Sequence, residues 1–170
     1  WLEEIINAGD TTVDATMGQG FDTAFLASLG SKVFAFDVQQ LALDMTNERL
    51  NHAGITAELI LDGHEHVDQY VSGEVKAAIF NLGYLPKSDK KLITRANTTL
   101  TALRKLLTML SNKGRIAIMI YYGHEGGEME KDAVLEFVSG LDQKQYQVYH
   151  YGAMNQVNQP PFLVMIEKLG

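Results

Sequence analysis

Three short apolar runs in this sequence each lead into an aspartate, and glycines stand beside the first and the third. The first run, Thr12-Val13-Asp14-Ala15, opens onto Thr16-Met17-Gly18-Gln19-Gly20-Phe21-Asp22-Thr23. Gly18 and Gly20 permit a tight turn whose backbone amides approach a ligand closely. A helix starting after it directs the positive end of its dipole at the same place. Something polar or anionic suits that turn, although a plain strand-to-helix turn with Asp22 as the helix N-cap would carry the same residues. Asp37 closes the second run, 19 residues after Gly18, a spacing that places an acid to accept both hydrogen bonds of a ribose diol. NAD and S-adenosylmethionine both carry that diol. The third glycine position is Thr23, the first strand carries its own acid, and the chain ends in two strand-like runs with no helix between them. All three favour the methyl donor, because a carboxylate repels a pyrophosphate and attracts an ammonium and a sulfonium.

The third run ends in Leu61-Asp62-Gly63-His64. Asp62 can accept from an adenine amine, and Gly63 lets the ring lie close. His64, Glu65 and His66 are not expected to bind metal, since neighbours on one helix start do not converge; His64 is read instead as a partly exposed residue lining an adenosine pocket. The fourth run ends at Phe80 and is followed by Asn81-Leu82-Gly83-Tyr84-Leu85-Pro86. This turn resembles the Asn-Pro-Pro-Tyr signature of methyltransferases acting on nitrogen, with both central prolines replaced. In such a turn the Asn81 oxygen accepts from the acceptor amine and Tyr84 stacks on a planar base. The same residues would also suit a turn into a long helix with a buried tyrosine. The fifth run is followed by Tyr121-Tyr122-Gly123-His124-Glu125-Gly126-Gly127, an aromatic and glycine-rich rim for an acceptor pocket. There His124 either takes a proton from the acceptor or hydrogen-bonds within the loop.

Positioning these turns requires strands whose carboxyl ends lie side by side. The runs 12–15, 33–36, 57–61, 76–80 and 115–120 are apolar almost throughout, as strands covered on both faces must be, and helical patterns alternate with them. Leu92, Ala96, Leu100, Leu103, Leu107 and Leu110 mark one helix stripe, which Asn112-Lys113-Gly114 is expected to end through a left-handed residue. Residues 146–151 and 162–166 are joined by a stretch without helical period, so they should pair antiparallel. The expected fold is α/β and Rossmann-like: a mostly parallel sheet, helices on both faces, and an antiparallel C-terminal hairpin.

With 170 residues, 46% of them hydrophobic and 21% charged, the composition is that of a folded soluble domain. No apolar run approaches the ~18 residues of a membrane span. The absence of cysteine excludes disulfides, thiolate metal sites and cysteine nucleophiles, and the lack of a signal-peptide pattern leaves the cytoplasm as the default compartment. Trp1 to Gly9 reads as the tail of an amphipathic helix ending at a glycine, so a short preceding helix is expected. The net charge of −7 is unevenly spread. Residues 87–115 hold eight cations and one acid, a net of +7, and the remainder holds six cations and twenty acids, a net of −14. That window is either a solvated helix face or a phosphate-contacting stripe.

Residues 13–27, 81–86, 121–127 and 158–162, the last being Asn158-Gln159-Pro160-Pro161-Phe162, together resemble the small bacterial class I methyltransferases long labelled putative rRNA methylases. The resemblance spans essentially the whole chain. It implies one S-adenosylmethionine-dependent methyltransferase domain over residues 1–170, without the extra upstream helix that the family carries. Because the family includes enzymes that methylate 5-aminomethyl-2-thiouridine at the tRNA wobble position, it also implies a primary amine acceptor on RNA. The expected cofactor residues are Asp14, Thr16, Gly18, Gly20, Asp22, Asp37, Gln39, Asp62, Gly63 and His64, with no metal. Catalysis is expected at Asn81, Tyr84 and His124, and substrate contact at Tyr121, Tyr122, Lys87, Lys90, Lys91 and Arg95. A small anticodon-loop footprint, or a homodimer pooling two basic stripes, reconciles RNA binding with the acidic remainder. Other RNA such as rRNA, a free small-molecule amine, or a non-catalytic binding module are the competing readings.

Overall fold

The structure is a computed structural model that describes residues 1–83 and 96–170. Seven strands form one sheet in the order β3-β2-β1-β4-β5-β7-β6. The strands are β1 (Thr11–Asp14), β2 (Lys32–Asp37), β3 (Glu58–Leu61), β4 (Val75–Leu82), β5 (Leu110–Ile120), β6 (Tyr146–Tyr151) and β7 (Phe162–Lys168). The first five pair parallel, while β7 pairs antiparallel with both β5 and β6. Helices α1 (Phe21–Ser28), α2 (Gln40–Ala53), α3 (Val67–Tyr70), α4 (Ala96–Met109) and α5 (Gly127–Ser139) complete the described residues. None of these is long and apolar enough to cross a membrane.

Strand alternation sends β4 into two cores at once. Ala77 and Ile79 join Leu2, Ile6, Leu26, Ala27 and Val33 on one face. Ala78 and Phe80 join Leu103, Leu106, Ile116, Ile118, Val134 and Val138 on the other. Phe80 and Leu82 are fully buried, each worth about 1.5–3 kcal/mol relative to exposure. The residue between them, Asn81, is therefore fixed in direction by the strand itself.

Four sequence expectations are corrected. Residues 1–9 form turns and not the end of a helix; a single Ile5 N–H to Leu2 carbonyl bond is enough to bring Leu2 and Ile6 to the core. The buried stripe of α4 is Thr99, Ala102, Leu103, Leu106 and Leu107, and Leu110 already belongs to β5, where it pairs with Val75. Lys113, with φ of 66°, is the left-handed residue, and it lies within β5 and not at a helix end. Gly114 is needed for space instead, because a Cβ there would stand 2.8 Å from Leu110 Cγ and the Ser111 carbonyl oxygen. The fourth correction concerns α1, whose N-cap is the left-handed Gly20 (φ 85°). Asp22 sits in the first turn, where its charge suits the helix dipole, but it caps no amide.

Candidate active site

The carboxyl ends of β1, β2, β3, β4 and β5 all open on one edge of the sheet, since these strands are parallel and in register. The chain after β1 stays attached to that edge: Ala15 N–H donates to the Ile79 carbonyl and Met17 N–H to the Phe36 carbonyl. Gly18 and Gly20 then turn it with φ of 55° and 85°. A Cβ at Gly20 would lie 2.9 Å from Thr46 Cα, so glycine is what lets α2 pack against this turn.

Two aspartates shape the turn from below. Asp14 is fully buried and accepts from the Thr16 N–H (3.2 Å) and the Thr23 hydroxyl (2.7 Å). Burial pushes its carboxyl up to about 7, with the negative charges of Asp22 and Asp37 adding to the shift against the two hydrogen bonds. Asp14 is therefore an internal brace with no surface of its own to offer a ligand. Asp37 is half-buried and accepts one bond on each oxygen, from Gly18 N–H (3.1 Å) and Gln39 N–H (3.0 Å). Burial raises its carboxyl too, opposed by those backbone amides. Val38 N–H adds a third backbone bond, and a carboxylate with about four lone-pair sites still has acceptor capacity for a diol.

The residues after β3 are arranged differently from the expectation. His64 is buried, 6% exposed, and cannot line an open pocket. Its Nδ1 lies 2.8 Å from the Ala15 carbonyl, which can only accept, so Nδ1 carries the proton; burial holds the imidazole below its ordinary pKa. Asp62 accepts from Gly63 N–H, His66 Nδ1 and the Tyr70 hydroxyl, each at 2.8 Å. Burial pushes against ionisation, yet those three bonds hold the carboxyl below its usual range. Glu65 lies across Gly63, its Oε1 1.5 Å from where a Cβ would stand, so that side chain takes the space this glycine leaves. The argument that these neighbours do not converge is also corrected. Among the described residues, Asp62, Glu65 and His66 bring ligand atoms within 4.8 Å of one another, while His64 turns away.

Asn81 joins the acceptor side to the glycine turn. Its backbone N–H donates to Thr16 Oγ1 at 2.6 Å, and its side-chain Nδ2 donates to the Asp22 carboxylate. Beside it, a Cβ on Gly83 would lie 3.6 Å from Tyr121 Cβ and 3.8 Å from His124 Cε1, so the fourth and fifth turns share one wall. Tyr121 is 47% exposed there. Tyr122 is half-buried, T-shaped to Phe162 at 5.8 Å with Lys131 Nζ 4.7 Å from its ring. Tyr84, Lys87, Lys90, Lys91 and Arg95 lie outside the described residues.

Two cations of the described part of the basic window, Lys105 and Arg115, are committed to partners within the chain. Lys105 is bound by Asp68 (2.8 Å) and the Glu65 carbonyl (2.6 Å). Arg115 donates to Glu167, Glu4 and the Trp1 carbonyl at 2.7, 2.7 and 2.6 Å. Arg115 pairs with Ala77 in the ladder, midway along β5 and four rungs before the Asn81–Met119 pair.

Sequence reasoning missed Thr46, Arg49 and Glu130. Thr46 Oγ1 donates to the Gly18 carbonyl (3.3 Å), and Arg49 donates to the Gln19 carbonyl (2.9 Å) while covering the Phe21 ring at 3.6 Å. Glu130 is buried, 2% exposed, in the first turn of α5, and accepts from the Thr99 hydroxyl at 2.9 Å. No local pattern marks it, because an acid in a first helical turn is ordinarily solvated. Burial raises its carboxyl to about 7 against the Thr99 bond. The folded protein therefore holds a proton on Glu130 that the unfolded chain has released. The stabilisation is full below the ordinary carboxylate range and is lost as pH rises through about 7. Wild-type stability should fall by about 1 kcal/mol between pH 6 and pH 8 through this group, and Glu130→Gln should remove that part of the slope in urea titrations.

The parallel sheet with its reversed strand β7, the glycine turn and the acid that ends β2 define the class I methyltransferase architecture. Residues 33–167 match the family described as Putative rRNA methylase, and the chain belongs to that family of methyltransferases. It is 46% identical to a putative rRNA methylase from Clostridium thermocellum, with a TM-score of 0.96 over 99% of this chain and 93% of that one. A putative methyltransferase from Streptococcus mutans, solved in complex with SAH, is 52% identical, with a TM-score of 0.93 and the same coverage. A chloroplastic tRNA (mnm(5)s(2)U34)-methyltransferase from Arabidopsis thaliana is 32% identical over 98% of this chain. The chain spans 66% of the length of that relative.

Proposed function

We propose that the protein is an S-adenosylmethionine-dependent N-methyltransferase of RNA, whose acceptor is the primary amine of a wobble 5-aminomethyl-2-thiouridine in tRNA. The observation that carries the reading is the bond from the Asn81 backbone N–H to Thr16 Oγ1, which ties the residue bearing the side-chain amide near the end of β4 to the turn that runs on into Gly18 and Gly20. The relatives support both halves of it: one was solved with SAH, and another is a methyltransferase of that tRNA nucleoside.

The residues fit the cofactor. Asp37 offers two oxygens to the ribose hydroxyls, Gly18 and Gly20 bring backbone close to the methionine part, and Asp14 acts through the turn it braces. The bound methyl donor supplies an electrophilic carbon on a sulfonium. Asn81 Oδ1 accepts one N–H of the neutral amine and aims its lone pair in line. A carbon–nitrogen bond forms as the carbon–sulfur bond breaks, sulfur keeps the electron pair, and the amine proton leaves to water or to His124. Tyr121 offers the exposed ring on which a base can stack. The commitment of Lys105 and Arg115 inside the fold favours a small RNA footprint over a broad one.

Hypomodified tRNA incubated with the protein and isotope-labelled methyl donor, then digested for nucleoside mass spectrometry, tests the reading. Label is expected in the methylaminomethyl form of the wobble nucleoside. Label confined to ribosomal RNA, or transferred only to free amines, would replace it.

A further inference from the structure

Asp22 lies in the first turn of α1, and its carboxylate receives the Asn81 side-chain Nδ2 across 59 residues of sequence. A carboxylate carries acceptors and no donor, so the only amide orientation it tolerates places nitrogen toward Asp22 and oxygen away from it. We infer that Asp22 is a positioning residue: it fixes the rotation of the Asn81 amide so that Oδ1 faces the acceptor amine. This rests on the proposed reading of Asn81 and adds what sets its polarity.

The geometry gives the inference its force. The Asn81 backbone is already held, by the β4 ladder with β5 on one side and by Thr16 Oγ1 on the other, which leaves the amide rotation as the remaining freedom. Asp22 is itself held, because α1 begins at the left-handed Gly20 and the turn before it packs against Thr46. The two amide orientations are not equivalent for chemistry. With oxygen forward, Asn81 accepts an amine N–H and leaves the lone pair for the methyl carbon. With nitrogen forward, the same side chain would donate into that lone pair and oppose attack. A nearly isosteric amide at position 22 removes the distinction, since an amide can present either donor or acceptor to Asn81.

Asp22→Asn should therefore lower kcat about tenfold or more, a loss larger than any accompanying change in the Kd for SAH. Asn81→Asp alone sets two carboxylates together and should also lose activity. In the double variant Asp22→Asn/Asn81→Asp, donor and acceptor exchange places, an acceptor oxygen still faces the amine, and part of the lost kcat should return. A side chain needed only for folding would show no such rescue. Wild-type kcat in Asp22→Asn, or a Kd for SAH that loosens with kcat unchanged, would overturn the inference. A second readout does not depend on turnover. The Asn81 side-chain amide resonances, assigned by their loss in Asn81→Asp, should exchange slowly with solvent in wild type and rapidly in Asp22→Asn. Equally rapid exchange in both would also overturn it. If no RNA or amine is methylated by the wild type, the proposed function fails, while the exchange measurement still decides whether Asp22 orients Asn81.

Discussion

Asn81→Ala is expected to lower the single-turnover rate of methyl transfer by on the order of 10²-fold or more, with cofactor affinity nearly unchanged. The substitution removes one acceptor oxygen and the amide that Asp22 holds, but leaves the backbone N–H that binds Thr16. The strand and the glycine turn should therefore stay where they are. What is lost is alignment: a primary alkylamine is mostly protonated near neutral pH, and the small neutral fraction must present its lone pair in line with the methyl carbon. Raising pH supplies more neutral amine but does not restore the angle, so the defect should persist at high pH. His124→Ala should behave in the opposite way, its defect shrinking as pH rises, if that residue serves as proton acceptor beside Gly83. A wild-type single-turnover rate in Asn81→Ala would remove the fourth turn from the chemistry.

The division between what the sequence disclosed and what it did not follows the range of the forces involved. Strands buried on both faces must be apolar throughout, so β1, β2, β4 and the second half of β5 were readable as runs; the edge strand β3 was readable although only part-buried, and a ten-residue connection without helical period could only join antiparallel neighbours β6 and β7. Strand ends were readable too, and with them the placement of Asp37, Asp62 and Asn81 at the carboxyl edge of the sheet, though not their partners. Boundaries were not. Leu110 continues the helical spacing of Leu103 and Leu107, yet its main chain is captured by Val75, a partner 35 residues earlier. The roles of the histidines were also hidden. His64 and His66 are equivalent on paper, and only the Ala15 carbonyl, brought over by the packing of β1 against β4, draws one inside while Asp62 keeps the other at the rim. The place of Arg115 was hidden as well: it pairs with Ala77, four rungs before the Asn81–Met119 pair, and Glu4 and Glu167 hold its guanidinium.

Cofactor binding should depend on Asp37 more than on any other acid at the strand ends, because Asp14 is enclosed and Asp62 is engaged by three donors. Asp37→Ala is expected to weaken binding by about 1.5–3 kcal/mol, a roughly 10- to 150-fold rise in Kd, through loss of charge-assisted bonds to a diol. The structure adds a second contribution, since the same carboxylate ties Gly18 N–H and Gln39 N–H to the turn. Asp37→Asn separates the two. An amide oxygen can still accept from one backbone amide, but the amide nitrogen donates where a ribose hydroxyl must also donate, so affinity should fall nearly as far while the fold loosens less. The pH dependence has a definite sign. Burial raises the Asp37 carboxyl, so protonation sets in at higher pH than for an ordinary carboxylate, and cofactor affinity in wild type should weaken correspondingly early as pH falls. Both variants lack that ionisation and should bind with a flatter acid limb. Calorimetric titration with SAH across that range measures all three, and unchanged affinity in Asp37→Ala would move the ribose to a different part of the edge formed by β1, β2 and β3.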